Sequence, residues 1–214
     1  KIEKSIIINK SYSKFYHDAR NLKKFDVFFS FRSSFRSKIL KLLISSKEKY
    51  QFNKHKVRGH HQVEKYNNFI NESLSINLVP ENLLFDKALK KVANNSKPIL
   101  GINPGASYGS SKRWYPIEFA KVAIELSKEY NILIFGGPNE VSFAKDIEDV
   151  LIQNNILNYQ NLADATSISE LIRYISNLDL FITGDSGPMH LASSYQIPTI
   201  SIFGPTKDNE TSQW

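Results

Sequence analysis

Leu180-Phe-Ile-Thr-Gly-Asp-Ser-Gly-Pro-Met-His190 passes from an apolar run through a short polar turn directly into a helix-forming stretch. The reading is a strand over Leu180 to Thr183 and a helix from Pro188 to Tyr195. The N–H groups of a helix's first turn are unpaired and carry partial positive charge, so this turn suits an anion, and Gly184 and Gly187 permit close backbone approach. Ser186 adds a hydroxyl. The same residues also fit a turn that caps its helix through Asp185 or Ser186 and binds nothing, and His190 fits a partly buried polar position on a packed helix.

Outward from this stretch the chain keeps alternating. Ile99 to Asn103, Asn131 to Phe135, Tyr159 to Leu162 and Thr199 to Phe203 read as strands. Pro116 to Tyr130, Glu140 to Gln153 and Ser169 to Ser176 read as helices between them, with Pro116 in a first turn where its missing N–H costs nothing. Strands and helices at this spacing predict parallel βαβ units with helices on both faces of a sheet, and ligands then bind beyond the carboxyl ends of the strands.

Two further loops leave such strand ends. Asn103-Pro-Gly-Ala-Ser-Tyr-Gly-Ser-Ser-Lys-Arg-Trp114 is rich in small residues, with Ser107 and Ser111 as hydroxyl donors and Lys112 and Arg113 as charge. A lysine at such a rim can offset negative charge building on a leaving diphosphate; a surface loop pinned to the core by Trp114 is the plain alternative. Phe135-Gly-Gly-Pro-Asn-Glu140 places a carboxylate where a ribose is commonly held, or where a helix N-terminus favours an acid without any ligand.

The first half is less regular. Ser5 to Asn9 is strand-like, and Lys14 to Lys24 has helical spacing through Phe15, Ala19 and Leu22. Asp26 to Phe31 reads as a strand and Arg32 to Ser45 as a helix, followed by a basic stretch with histidines, Lys47 to His61. Gln62 to Ser73 and Asp86 to Ala93 read as helices, and Asn94 to Pro98 as a linker. The domain division expected is 1–93, linker 94–98, and 99–214, with the chain ending in a loop and no closing helix.

Composition excludes several chemistries. The 214 residues contain no Cys, which removes disulfides, thiolate nucleophiles and thiolate metal sites. No run approaches the ~18 apolar residues of a membrane span, and no signal peptide opens the chain, so a cytoplasmic protein is expected. There is no G-x-G-x-x-G after the first strand and no P-loop signature, and His55, His60 and His61 lack zinc-site companions. Residues 1–97 hold 21 Lys and Arg against 8 Asp and Glu, whereas residues 98–214 hold 7 against 13. A basic half can meet nucleic acid, anionic headgroups or a phosphorylated substrate, or be a solvated lysine-rich surface. Phe28, Phe29, Phe31 and Phe35 raise a nucleic-acid-binding module as a rival, although core packing explains aromatics on a strand and a helix face better.

The combination of the 103–114 loop, a strand ending G-G-P-N-E, G-D-S-G-P-M-H and Ile202-Phe-Gly-Pro-Thr206 resembles the ADP-heptose:lipopolysaccharide heptosyltransferases, closest to the heptosyltransferase II branch of glycosyltransferase family nine. A fainter likeness covers Phe31 to Lys38 and His61 to Tyr66. The resemblance implies an α/β protein of GT-B type, two Rossmann-like domains with parallel sheets, here with the N-terminal domain truncated and the C-terminal domain incomplete. It implies inverting, metal-independent transfer of heptose from ADP-L-glycero-D-manno-heptose, with no cofactor, onto the lipopolysaccharide inner core (Kdo/heptose-lipid A). The expected setting is a monomer, peripheral at the inner-leaflet surface of the inner membrane, with no nucleic-acid partner. By the same resemblance Lys112 stands by the diphosphate and heptose, Asp185 on sugar hydroxyls, Ser186 and Gly187 on the phosphates, Glu140 on the ribose and the backbone near Thr166 at the adenine. Ser107, Ser111 and His190 line that pocket, and Arg36 and Lys65 face the acidic acceptor. The family's general base, an aspartate in a Gly-Asp turn after the first strand, has no match in this chain. Another GT-B glycosyltransferase or a sugar-nucleotide epimerase would share the α/β pattern.

Overall fold

The computed structural model describes residues 4–9, 11–54, 59–85, 97–105 and 110–214. The expected helix at 86–93 and most of the expected linker lie outside these residues. The chain divides into two compact units, Lys1–Pro80 and Glu81–Trp214.

In the first unit, helix α1 (Tyr12–Arg20) leads to strand β1 (Phe25–Ser30), helix α2 (Phe35–Leu43), strand β2 (Ser46–Gln51) and helix α3 (Gln62–Leu74). β1 and β2 pair in parallel, Phe25 opposite Ser46 and Ser30 opposite Gln51. Strand β2 lay hidden in the basic stretch because Ser-Lys-Glu-Lys-Tyr-Gln carries little of the apolar alternation that marks a strand. Ser5–Asn9, by contrast, is not a strand. A strand needs a ladder partner as well as β-branched residues, and among the described residues none pairs with this stretch: the Asn9 N–H donates to the Asp18 carboxylate (3.1 Å) while its carbonyl accepts from Arg36 (2.6 Å).

Aromatic packing holds this unit together. Phe29 stacks on Tyr50 at 5.2 Å, and Phe69 meets Phe29, Phe31 and Phe52 edge-on at 5.7 to 5.9 Å. Phe29 and Phe31 are therefore packing residues, as their positions predicted, but Phe35 is 76% exposed and does not join them. His61 is the N-cap of α3: its Nδ1 accepts from the Val63 N–H (3.2 Å), and its own N–H donates to Glu64 (3.1 Å).

The second unit is a five-stranded, all-parallel sheet. Its strands are β3 (Ile99–Asn103), β4 (Asn131–Ile134), β5 (Tyr159–Asn161), β6 (Leu180–Gly184) and β7 (Thr199–Ile202), in the order β5-β4-β3-β6-β7. Helices α4 (Pro116–Leu126) and α5 (Val141–Gln153) cover one face, where Leu100, Ile102, Ile132, Ile134 and Ile182 meet Phe119, Ala123, Ile147 and Leu151. Helices α6 (Ile168–Ile175) and α7 (Gly187–Ser194) cover the other, where Phe135, Phe181 and Leu178 meet Ile175 and Ala192. The period-two alternation of a strand decides which side chain goes to which face. Gly101 points to the second face, where a Cβ would stand 2.5 Å from Leu178 and 2.7 Å from Phe181. Any side chain there would force these neighbours to move.

Residues 81–85 belong to this unit. The Phe85 N–H donates to the Ser194 carbonyl (2.9 Å), its ring stacks on Tyr195, and Trp214 Nε1 donates to the Glu81 carbonyl (3.0 Å). A short helix α8 (Asp208–Thr211) precedes the last three residues, where the sequence reading had only a loop. Four residues are too few to show a hydrophobic period.

Candidate nucleotide-binding site

The chain winds β3, β4, β5 toward one edge of the sheet, then crosses back to lay β6 and β7 on the other side of β3. The strand order reverses between β3 and β6, and in open α/β sheets ligands bind in the crevice beyond the carboxyl ends at that point. Because all strands are parallel, the loops singled out in the sequence emerge along one edge. In sheet order they carry Thr166, Glu140, Lys112, Asp185 and Thr206, a sequence of positions that chain order scrambles.

At the reversal point Asn103 ends β3 with its side chain 2% exposed. Its Nδ2 donates to Thr183 Oγ1 (3.1 Å) and to Ser186 Oγ (3.0 Å), tying β3 to the turn after β6. Ser186 is the N-cap of α7, yet its hydroxyl makes no cap hydrogen bond; it is turned to Asn103 and to Thr183 Oγ1 (3.2 Å). The capping alternative thus fails for Ser186. The Gly187 end of α7 is left without a side-chain cap, the arrangement that suits an anion.

Lys112 closes a 3₁₀ turn, Ser110–Lys112, and its Nζ donates to Asp185 Oδ2 at 2.7 Å. The Asp185 side chain is only 9% exposed. Thr206 Oγ1 donates to the same oxygen at 2.9 Å. Burial pushes the Asp185 carboxyl up, but the bonds from Lys112 and Thr206 and the positive charges of Lys112 and His190 outweigh it and hold it below its ordinary value. His190 itself is exposed on the first turn of α7. Ser111 is exposed, and its carbonyl lies against Gly204.

Glu140 is buried at the start of α5, with Oε2 accepting from the Gly137 N–H (2.8 Å). A Cβ at Gly105 would collide with that carboxylate, so the β3 loop lies directly over it. Thr166 is half-buried in the loop between β5 and α6. Arg113 lies over the Phe143 ring (4.6 Å) and Trp114 packs edge-on against Phe119 (5.2 Å), anchoring the end of the loop. Ser107 lies outside the described residues.

The acceptor-side candidates are in the first unit. Arg36 stacks on Phe15 at 4.3 Å while donating to the Asn9 carbonyl, and Lys65 is 6% exposed in the first turn of α3. The sequence reading missed Asn103 and Thr206 as site residues. The signal for Asn103 was present, a polar side chain on the last position of an otherwise apolar strand; Thr206 closes the Ile202–Thr206 motif, but its partner, 21 residues away, could not be read from the sequence. Among the described residues no group of three or more His, Asp or Glu side chains could hold a metal ion.

A doubly wound parallel sheet with a cationic loop beside an uncapped helix N-terminus at the strand-order reversal is an α/β arrangement suited to an anionic ligand. The chain belongs to glycosyltransferase family 9 (heptosyltransferase), whose model matches residues 23–214. It is 46% identical over 202 residues to lipooligosaccharide heptosyltransferase 2 of Campylobacter jejuni, covering 91% of this chain and 62% of that protein. It is 29% identical over 119 residues to lipopolysaccharide heptosyltransferase 2 of Salmonella typhimurium, covering 55% of this chain and 34% of that protein. The chain thus spans about three fifths of the length of the first of these relatives. Among solved structures, Escherichia coli ADP-heptose lps heptosyltransferase II matches with a TM-score of 0.71 at 21% identity, over 92% of this chain and 68% of that one. A family 9 glycosyltransferase of Veillonella parvula matches with a TM-score of 0.76 at 19% identity, over 94% and 64%. These likenesses bear out the family and the α/β class with parallel sheets that the motifs implied. No helix among the described residues is long and apolar enough to cross a membrane.

Proposed function

We propose that the protein carrying this chain transfers heptose, with inversion and without a metal, from ADP-L-glycero-D-manno-heptose to the lipopolysaccharide inner core, and that Glu81–Trp214 is its donor-binding unit. The observation that supports this most is the Lys112–Asp185 ion pair, 2.7 Å long and three-quarters or more buried on both sides, at the strand-order reversal. A cation held by a carboxylate at such a place is a cation in reserve. When a diphosphate arrives, Lys112 Nζ can turn to it and later stabilise the charge that develops as the sugar leaves.

The remaining roles are those that the family resemblance implies. Ser186 and Gly187 offer N–H groups to the phosphates, Glu140 takes the ribose hydroxyls, and the backbone at Thr166 meets the adenine. Ser107, Ser111 and His190 line the pocket, and Asp185 accepts from the sugar hydroxyls. The base that deprotonates the acceptor is assigned to no residue of this chain. Arg36 and Lys65 belong to the acceptor side on this reading, and the basic first unit faces an acidic core oligosaccharide as a monomer peripheral to the cytoplasmic face of the inner membrane.

Calorimetry with ADP and ADP-heptose, run in EDTA, tests the donor site. We expect both to bind without divalent metal and Lys112→Ala to weaken ADP by ~10-fold or more, the size of one charged hydrogen bond. Equal affinity in the variant would remove Lys112 from the site; binding that requires added metal would refute metal independence; tighter, salt-dependent binding of a random oligonucleotide would favour a nucleic-acid module.

A further inference from the structure

The loop after β7, Phe203-Gly-Pro-Thr206, has no role in the reading above. Yet it touches both members of the Lys112–Asp185 pair. A Cβ at Gly204 would collide with the Ser111 carbonyl and stand 3.2 Å from Lys112 Cα, so the loop seats the Lys112 backbone through a contact only glycine allows. Two residues on, Thr206 Oγ1 reaches Asp185 Oδ2 at 2.9 Å, the same oxygen that Lys112 Nζ holds at 2.7 Å.

This double occupancy of one oxygen matters when Lys112 moves. Asp185 is 9% exposed, and a carboxylate so placed is costly without a donor. If Lys112 were its only partner, drawing the ammonium onto a diphosphate would strand that anion, and the cost would fall on ligand affinity. The Thr206 hydroxyl is neutral, so a diphosphate draws it far less strongly than it draws the ammonium, and it donates from a different strand's loop.

We propose that Thr206 is a positioning residue of the donor site: it retains the Asp185 carboxylate when Lys112 is drawn to the donor's diphosphate, so that the cation can change partners without leaving a bare buried charge. The proposal rests on the donor-site reading above. Asp185, held by Thr206 through Oδ2, keeps Oδ1 for a ligand hydroxyl.

ADP alone is sufficient as a probe, because it carries the diphosphate that recruits Lys112. By calorimetry on the full chain, Thr206→Val should weaken ADP by ~10-fold, the value of a hydrogen bond to a charged group, and Thr206→Ser should stay within ~2-fold of the parent. The decisive arm is the double variant. In an Asp185→Asn background there is no charge to retain, so adding Thr206→Val should cost no further affinity. The same loss in both backgrounds would show a structural role and overturn the proposal. No loss in either, with Lys112→Ala still weakening ADP, would overturn it while leaving the donor site standing. Failure of the parent chain to bind ADP would overturn both.

Discussion

Asp185 is the residue on which the site turns. It is nearly buried, bonded twice through one oxygen, and held below its ordinary pKa by Lys112, Thr206 and His190 against the opposing effect of burial. A carboxyl whose folded pKa is depressed contributes stability that is fully present above its unfolded value, about pH 4, and is lost as pH falls through the lower folded value. Urea midpoints measured from neutral pH downward should therefore fall more steeply below about pH 4 for the parent than for Asp185→Asn. Parallel slopes would mean that the pair contributes nothing to folding. The sequence presented Asp185 as either a helix cap or a ligand. It could not show that the carboxylate is committed to a lysine 73 residues away, because that contact exists only once β3 and β6 are neighbours.

At the scale of elements, β3 is the strand that everything else is arranged around. It pairs with β4 on one side and β6 on the other, sends Leu100 and Ile102 to one face, and with Gly101 makes room on the other face for Phe135, Leu178 and Phe181. Gly101→Ala should cost ~1–3 kcal/mol in chemical denaturation through overpacking, with the side chains of Leu178 and Phe181 forced aside. A change within error would mean that these side chains yield freely. The long helices and buried strands of this unit were legible because their apolar periods are clean and their ends carry Pro, Gly or a capping pair such as Ser167 with Glu170. β2 and Ser5–Asn9 were misread in opposite directions for one reason. A strand is made by its pairing partner, which gave Lys-rich β2 a ladder against β1 and left the isoleucines of Ser5–Asn9 without one.

For the molecule as a whole, the two compact units differ in chemistry: the first, Lys1–Pro80, takes most of the basic half of the chain, and the strand-order reversal belongs to the second. Ligand binding stabilises the unit that holds the ligand, by ~2.7 kcal/mol at a hundredfold excess over Kd. Hydrogen exchange with saturating ADP should slow amides at the ends of β3 and β6 and the start of α7, and leave β1 and β2 unchanged; protection confined to the first unit would place the nucleotide elsewhere. The sequence by itself determined the alternation of strands and helices, the family, and three loops suited to a nucleotide, because turn residues, apolar periods and motifs are local properties of the chain. Only the tertiary structure decided that Asn103 ties Ser186 away from its helix, that Lys112 and Thr206 share one oxygen of Asp185, and that the Gly204 loop seats them both. These are contacts between residues separated by 21 to 93 positions, and they follow from the order in which parallel strands lie side by side, which no local pattern encodes.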